Sequence, residues 1–141
     1  MKILLAVDGS PYTKKMLAYL AAHEELRADG RHEYTVLTVQ SVLPPRARAA
    51  LSKQMVDEYY AEEAAKVLDP VTKYLAQNGI TPVCRAEVGA AGETIAKIAE
   101  DEKFDLIIMG THGHGSLGKL VMGSVSTRVL ANCTVPVMLI R

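Results

Sequence analysis

LIIMGTHGHGSLGKLVMGSVSTRVLAN, residues 106–132, is the stretch that decides the fold. Its first four residues, Leu106 to Met109, form the short apolar run of a strand covered on both faces. Its end, Ser124 to Asn132, reads as a helix. Five glycines lie between them: Gly110, Gly113, Gly115, Gly118 and Gly123. Glycine carries no Cβ to block a close approach and accepts positive φ freely. The helix start that follows offers unpaired N–H groups and the positive end of the helix dipole. Strand, glycine-rich connection and helix together point to an α/β fold that holds a phosphate-bearing ligand.

The same alternation extends towards the N-terminus. Ile3 to Val7 is a continuous apolar run, a buried strand. Ser10-Pro11 then supplies an N-cap followed by proline at the first helical position. Met16, Leu17, Leu20 and Ala21 make a stripe at helical spacing, and Asp29-Gly30 marks the expected stop. Tyr34 to Val39 is a second strand. Ser41 to Arg48, with Pro44-Pro45, reads as a loop. From Ala49 to Gln77 the period is helical, and Pro70 either kinks this helix or opens a second one capped by Asp69. Asn78-Gly79 ends it. Pro82 to Val88 is a third strand, its leading proline suited to a sheet edge. Glu93 to Lys103 is a helix, and Val135 to Ile140 a fifth strand. This βαβαβαβαβ order predicts a parallel sheet with right-handed crossovers and helices on both faces. Ligands of such sheets bind beyond the carboxyl ends of the strands. The loops after strand 1 (Asp8-Gly9-Ser10) and strand 4 are therefore the expected neighbours of a site.

Composition fits this reading. The chain has 141 residues, the size of one domain over 1–141, and is 49% hydrophobic with no Trp. Sixteen basic and sixteen acidic residues cancel, which argues against a nucleic-acid binder that neutralises phosphates in bulk. Cys84 and Cys133 form no C-x-x-C and read as small buried hydrophobes in a reducing compartment. No apolar run approaches the ~20 residues of a membrane span, and the short run before Asp8 is too small for a signal-peptide core. The expectation is a cytoplasmic protein with no membrane partner.

Three nucleotide patterns overlap in the glycine stretch. Gly113-x-Gly115-x-x-Gly118 has the dinucleotide spacing but follows the fourth strand, and no acid occurs after Asp105 to hold a ribose. Gly113-x4-Gly118-Lys119 approaches a P-loop, yet Leu120 stands where the Mg²⁺-binding hydroxyl belongs. The third pattern, Gly110-x2-Gly113-x9-Gly123-Ser124, is complete. It resembles the nucleotide-binding signature of the universal stress protein family. Ile3-Leu-Leu-Ala-Val-Asp8-Gly-Ser10, Val36-Leu-Thr-Val39, Asp105-Leu-Ile-Ile-Met-Gly110 and Val135-Pro-Val-Met-Leu-Ile140 extend the resemblance along the whole chain.

The resemblance implies a three-layer αβα fold of the adenine-nucleotide α-hydrolase-like, Rossmann-like kind, with a five-stranded parallel sheet in the order 3-2-1-4-5. It implies ATP binding, with Mg²⁺ on the phosphates. Asp8, with Ala6 and Val7, would border the adenosine, and Val39 would wall the adenine. Family members often carry proline where this chain has Ala6. Met109 and Gly110 would lie against ribose and phosphates, followed by His112 and Gly113. Gly123, Ser124, Val125 and Ser126 would hold the phosphates through N–H groups and hydroxyls. The family's last strand pairs with its copy, so a homodimer through Val135 to Ile140 is expected, and so apolar an edge needs cover in any case.

Other readings attach to the same residues. Asp8 and Ser124 have capping roles open to them. His112 and His114 lack a third ligand for a metal, and phosphate-side hydrogen bonding suits His112 better. Met109 and Met122 flank the loop as core filler, and Glu62-Glu63 is a solvated face. Phosphoryl transfer needs a metal clamp and a group that orients the nucleophile. With only Asp8 and two histidines to offer, the site reads as a holder of nucleotide with slow or no turnover, a stress-response or nucleotide-sensing regulator. A Mg²⁺-dependent ATPase of the wider superfamily is the enzyme alternative. A dimeric interaction protein, with its cleft empty or holding AMP, is the other.

Overall fold

The computed structural model describes residues 1–27, 30–114 and 122–141. Asp29, expected to stop the first helix, lies outside these residues, as do Gly115, Gly118, Lys119 and Leu120 of the two rejected motifs. Five strands, β1 (Lys2–Ala6), β2 (Glu33–Gln40), β3 (Val83–Val88), β4 (Leu106–Gly110) and β5 (Val137–Ile140), form one parallel sheet in the order β3-β2-β1-β4-β5. Six helices accompany them among the described residues: α1 (Pro11–Ala22), α2 (Glu24–Arg27), α3 (Pro45–Ala50), α4 (Lys53–Gln77), α5 (Ala91–Asp101) and α6 (Ser124–Asn132).

The alternation along β1 splits the core in two. Ile3, Leu5 and Val7 point to one face, where Met16, Leu17 and Leu20 of α1 and Val71 and Leu75 of α4 cover them. Leu4 and Ala6 point to the other, against Ile95, Ile98 and Ala99 of α5 and Val129 of α6. Both faces of the central strand are thus buried, which is why its apolar run is unbroken.

Several expectations change. The first helix ends at Ala22, seven residues before Asp29, because His23 turns extended (φ −118°, ψ 101°). Its Nδ1 lies 2.7 Å from the Tyr19 carbonyl. The second half of the segment read as a loop is helical and belongs to α3, which runs on to Ala50, with Pro45 at its first position, where the fixed φ suits a helix and the missing N–H costs nothing. α4 begins at Lys53 rather than Ala49, since the Ser52 hydroxyl accepts from the Met55 N–H at 3.1 Å. It runs unbroken through Pro70, which is exposed. Cys84 is exposed on the edge strand β3, its Sγ 3.2 Å from Thr72 Oγ1 of α4. Cys133 is half-buried, and burial pushes its thiol pKa up.

Candidate functional site

β1 sends the chain outward to β2 and β3, and the chain then returns to β4 on the other side of β1. The connections diverge between β1 and β4, leaving a crevice at the strands' carboxyl ends. A cavity of about 400 Å³ occupies it. Its lining includes all twelve residues singled out in the sequence: Ala6, Val7, Asp8, Val39, Met109, Gly110, His112, Gly113, Gly123, Ser124, Val125 and Ser126. Strand ends supply the apolar side, and the two loops and the α6 start supply the polar side.

Asp8 is held in place by the chain that follows it. Its Oδ1 accepts from the Ser10 N–H at 2.9 Å and from the Thr13 hydroxyl at 3.0 Å. Thr13 Oγ1 in turn accepts from the Asp8 N–H at 3.1 Å. Gly9 makes this turn possible with φ +77°. Of the capping and loop-bonding roles open to Asp8, Oδ1 takes the second: the N-cap of α1 is Ser10, and no side chain caps that helix. Oδ2 faces Gly113, where an added Cβ would lie 2.6 Å from it.

The signature glycines are needed for clearance. Among the described residues the positive-φ glycines are Gly9, Gly30, Gly79 and Gly89, so positive φ does not explain Gly113 or Gly123. A Cβ on Gly123 would sit 3.2 Å from both His112 Cα and the Thr111 carbonyl oxygen. The Gly123 N–H donates to that carbonyl at 2.7 Å and ties the α6 start to the end of β4.

α6 opens with Gly123 as N-cap, so Ser124, Val125 and Ser126 occupy its first turn. Their N–H groups have no acceptor within the helix. Ser124 is exposed. Ser126 is buried, and its hydroxyl hydrogen is shared between the Thr111 carbonyl (2.9 Å) and the Gly123 carbonyl (3.1 Å). Its side chain therefore braces the loop, and what it offers a ligand is its N–H. His112 packs against Tyr12 with ring centroids 5.0 Å apart, and its Nδ1 is 2.9 Å from Thr111 Oγ1. His114 Nε2 reaches the Asp8 carbonyl at 2.6 Å. Among the described residues no group of three His, Cys, Asp or Glu is arranged to hold a metal.

The cavity also takes in residues that the sequence pattern did not mark: Thr13, Leu37, Ala91, Ile95 and Thr111. For Thr13 a signal existed. Asp, Ser and Thr at positions 8, 10 and 13 have the spacing of a side-chain-bonded turn entering a helix. Ala91 and Ile95 are apolar positions of α5 with no chemical marker.

The model of the universal stress protein family matches residues 1–141. The chain belongs to this family. Universal stress protein MJ0577 of Methanocaldococcus jannaschii is 38% identical over 156 residues, covering 99% of this chain and 94% of that protein. The solved structure of MJ0577 matches with a TM-score of 0.83 and 28% identity over 99% of this chain and 94% of that one. A universal stress protein of Arabidopsis thaliana, solved with AMP bound, matches with a TM-score of 0.70 at 15% identity, covering 99% and 90% of the two chains. A universal stress protein in complex with cAMP matches with a TM-score of 0.70 at 18% identity, covering 100% and 97%. At these last identities the likeness is one of fold.

Proposed function

We propose that the cavity between β1 and β4 binds ATP and that this universal stress protein is a nucleotide-sensing or stress-response regulator with slow or no hydrolysis. The observation that carries this reading is the pair of clearances at Gly113 and Gly123. Both stand where a Cβ would crowd the loop, and beside them three first-turn amides of α6 have no acceptor within the helix. An anion fits such a place, since the N–H groups and the dipole end both favour negative charge. The adenine lies against Ala6, Val7 and Val39, the ribose by Met109 and Gly110, and Asp8 borders the adenosine. The phosphates meet Gly113, His112 and the amides of Ser124, Val125 and Ser126, while Gly123, its own N–H held by the Thr111 carbonyl, lets the chain pass close. The AMP and cAMP complexes of two fold relatives support an adenine nucleotide as the class.

Asp8 is the one carboxylate among the described lining residues, and its Oδ1 is already committed. That donor set fits Mg²⁺ carried on phosphate oxygens and water, which is how this ion is usually held beside nucleotides. The same scarcity leaves few groups to orient an attacking water, which supports slow or no turnover. In this reading the exposed edge of β5 pairs with a second copy, giving a homodimer. All four β5 residues are only half-buried in the single chain.

Calorimetric titration with ATP and Mg²⁺ tests the proposal. Gly123→Val should weaken binding at least 100-fold, about 2.8 kcal/mol at 1.4 kcal/mol per decade, with the circular dichroism of the folded chain retained. Unchanged affinity contradicts the phosphate role. So does a wild-type chain that takes up no nucleotide.

A further inference from the structure

α4 is too long for the sheet it covers. Its 25 residues span about 37 Å, whereas the longest strand, eight residues, spans about 26 Å. The excess is at its N-terminal end: Ala64 is the first buried residue, eleven positions into the helix. α3 buries no residue either. Residues 42–63 therefore form an arm beyond the core. It is anchored where the Leu43 N–H donates to the Tyr60 hydroxyl at 2.9 Å and Gln40 Nε2 donates to the Tyr60 carbonyl at 3.1 Å.

The arm's surface is unlike a solvated one. Val42, Met55 and Tyr59 are 48%, 53% and 43% exposed. Met55 and Tyr59, four apart, share one face of α4. The arm's charges are sorted by sign along the chain. Arg46, Arg48 and Lys53 come first, then Asp57, Glu58, Glu62 and Glu63. Among the described residues Glu63 pairs with Lys66, and the other six form no ion pair.

We infer that the arm is a self-complementary contact between two copies of this chain. A two-fold axis near Met55 and Tyr59 lays the arms antiparallel, placing the cations of each against the carboxylates of the other. A patch that carries both signs in separate halves meets its own copy without like-charge contacts, which is the requirement of an isologous interface. The apolar residues at the axis supply the desolvated centre. This contact is separate from β5 and does not rest on nucleotide binding.

Sedimentation of two charge-reversed variants tests it. Arg46→Glu/Arg48→Glu and Asp57→Lys/Glu58→Lys each place like charges across the axis. Both alter only exposed residues, and circular dichroism verifies the fold. Each variant alone should show half the mass of the wild-type assembly. An equimolar mixture should restore that mass, because each reversed patch then faces an opposite one. The species left in each variant alone reports on β5: a dimer if that edge also pairs, a monomer if it does not. A wild-type mass unaffected by either reversal overturns the inference, as does a mixture that stays at the lower mass. A wild-type chain that is monomeric at all concentrations also overturns it and leaves the arm to a foreign partner.

Discussion

Thr13 illustrates what a single hydroxyl does at this site. It gives its hydrogen to Asp8 Oδ1 and takes one from the Asp8 N–H, and the carboxylate cannot rotate without breaking its bonds from the Thr13 hydroxyl and the Ser10 N–H. Thr13 is 5% exposed, so water does not readily replace it. Thr13→Val removes the donor and leaves the Asp8 N–H unpaired, a cost of about 1–3 kcal/mol. We expect ATP affinity to fall about tenfold or more, with Thr13→Ser restoring it, both read by calorimetry. Equal affinity in the valine variant would show that Asp8 needs no such anchor. At this scale the sequence was legible where chemistry is tied to residue type and spacing. Asp8, Gly113, Gly123 and Ser124 stood out for that reason. The purpose of the glycines was not legible, because a backbone contact 3.2 Å from an absent Cβ leaves no mark on the glycine itself. Nor was the inward turn of the Ser126 hydroxyl, since the same side chain serves equally as ligand contact or loop brace.

The elements were legible where apolar period and caps agree. α4 ends where Asn78-Gly79 directs, with Gly79 at φ +76° and the Ile80 N–H returning to the Leu75 carbonyl at 2.9 Å. α5 closes in the same way, with Lys103 in the glycine position at φ +57° and the Phe104 N–H reaching the Ala99 carbonyl at 3.0 Å. A left-handed conformation costs a residue with a Cβ about 1–2 kcal/mol. Lys103→Gly is therefore expected to stabilise the fold by about 1 kcal/mol, raising the melting temperature by roughly 3–5 °C in a scan of this size of domain. A lower melting temperature would mean that the lysine side chain makes up the strain elsewhere. The miss at α3 has a physical cause. Pro44-Pro45 signals a turn and a helix start equally well, and with no buried residue the helix carries no apolar stripe to decide between them. Pro70 was ambiguous for a similar reason, since whether the helix tolerates it depends on which way its face points.

The whole molecule follows from the central strand. β1 is buried on both faces and flanked by β2 and β4, so the chain reverses direction across the sheet beside it and opens the crevice there. Alternating strands and helices made the layers legible, but strand order is a property of crossovers and came only from the family resemblance. The sheet has that order, and the MJ0577 structure matches the fold with a TM-score of 0.83. The described residues include no helix long and apolar enough to cross a membrane. The central claim, that ATP is held by its phosphates at the α6 start, is open to direct inspection. Nitrogen-15 spectra of the labelled protein, titrated with ATP and Mg²⁺, report each amide separately. The expected result is a saturable shift of Gly113, Ser124, Val125 and Ser126, among the largest in the chain, while the arm of residues 42–63 stays still. Saturation that leaves those four amides unmoved would contradict the account.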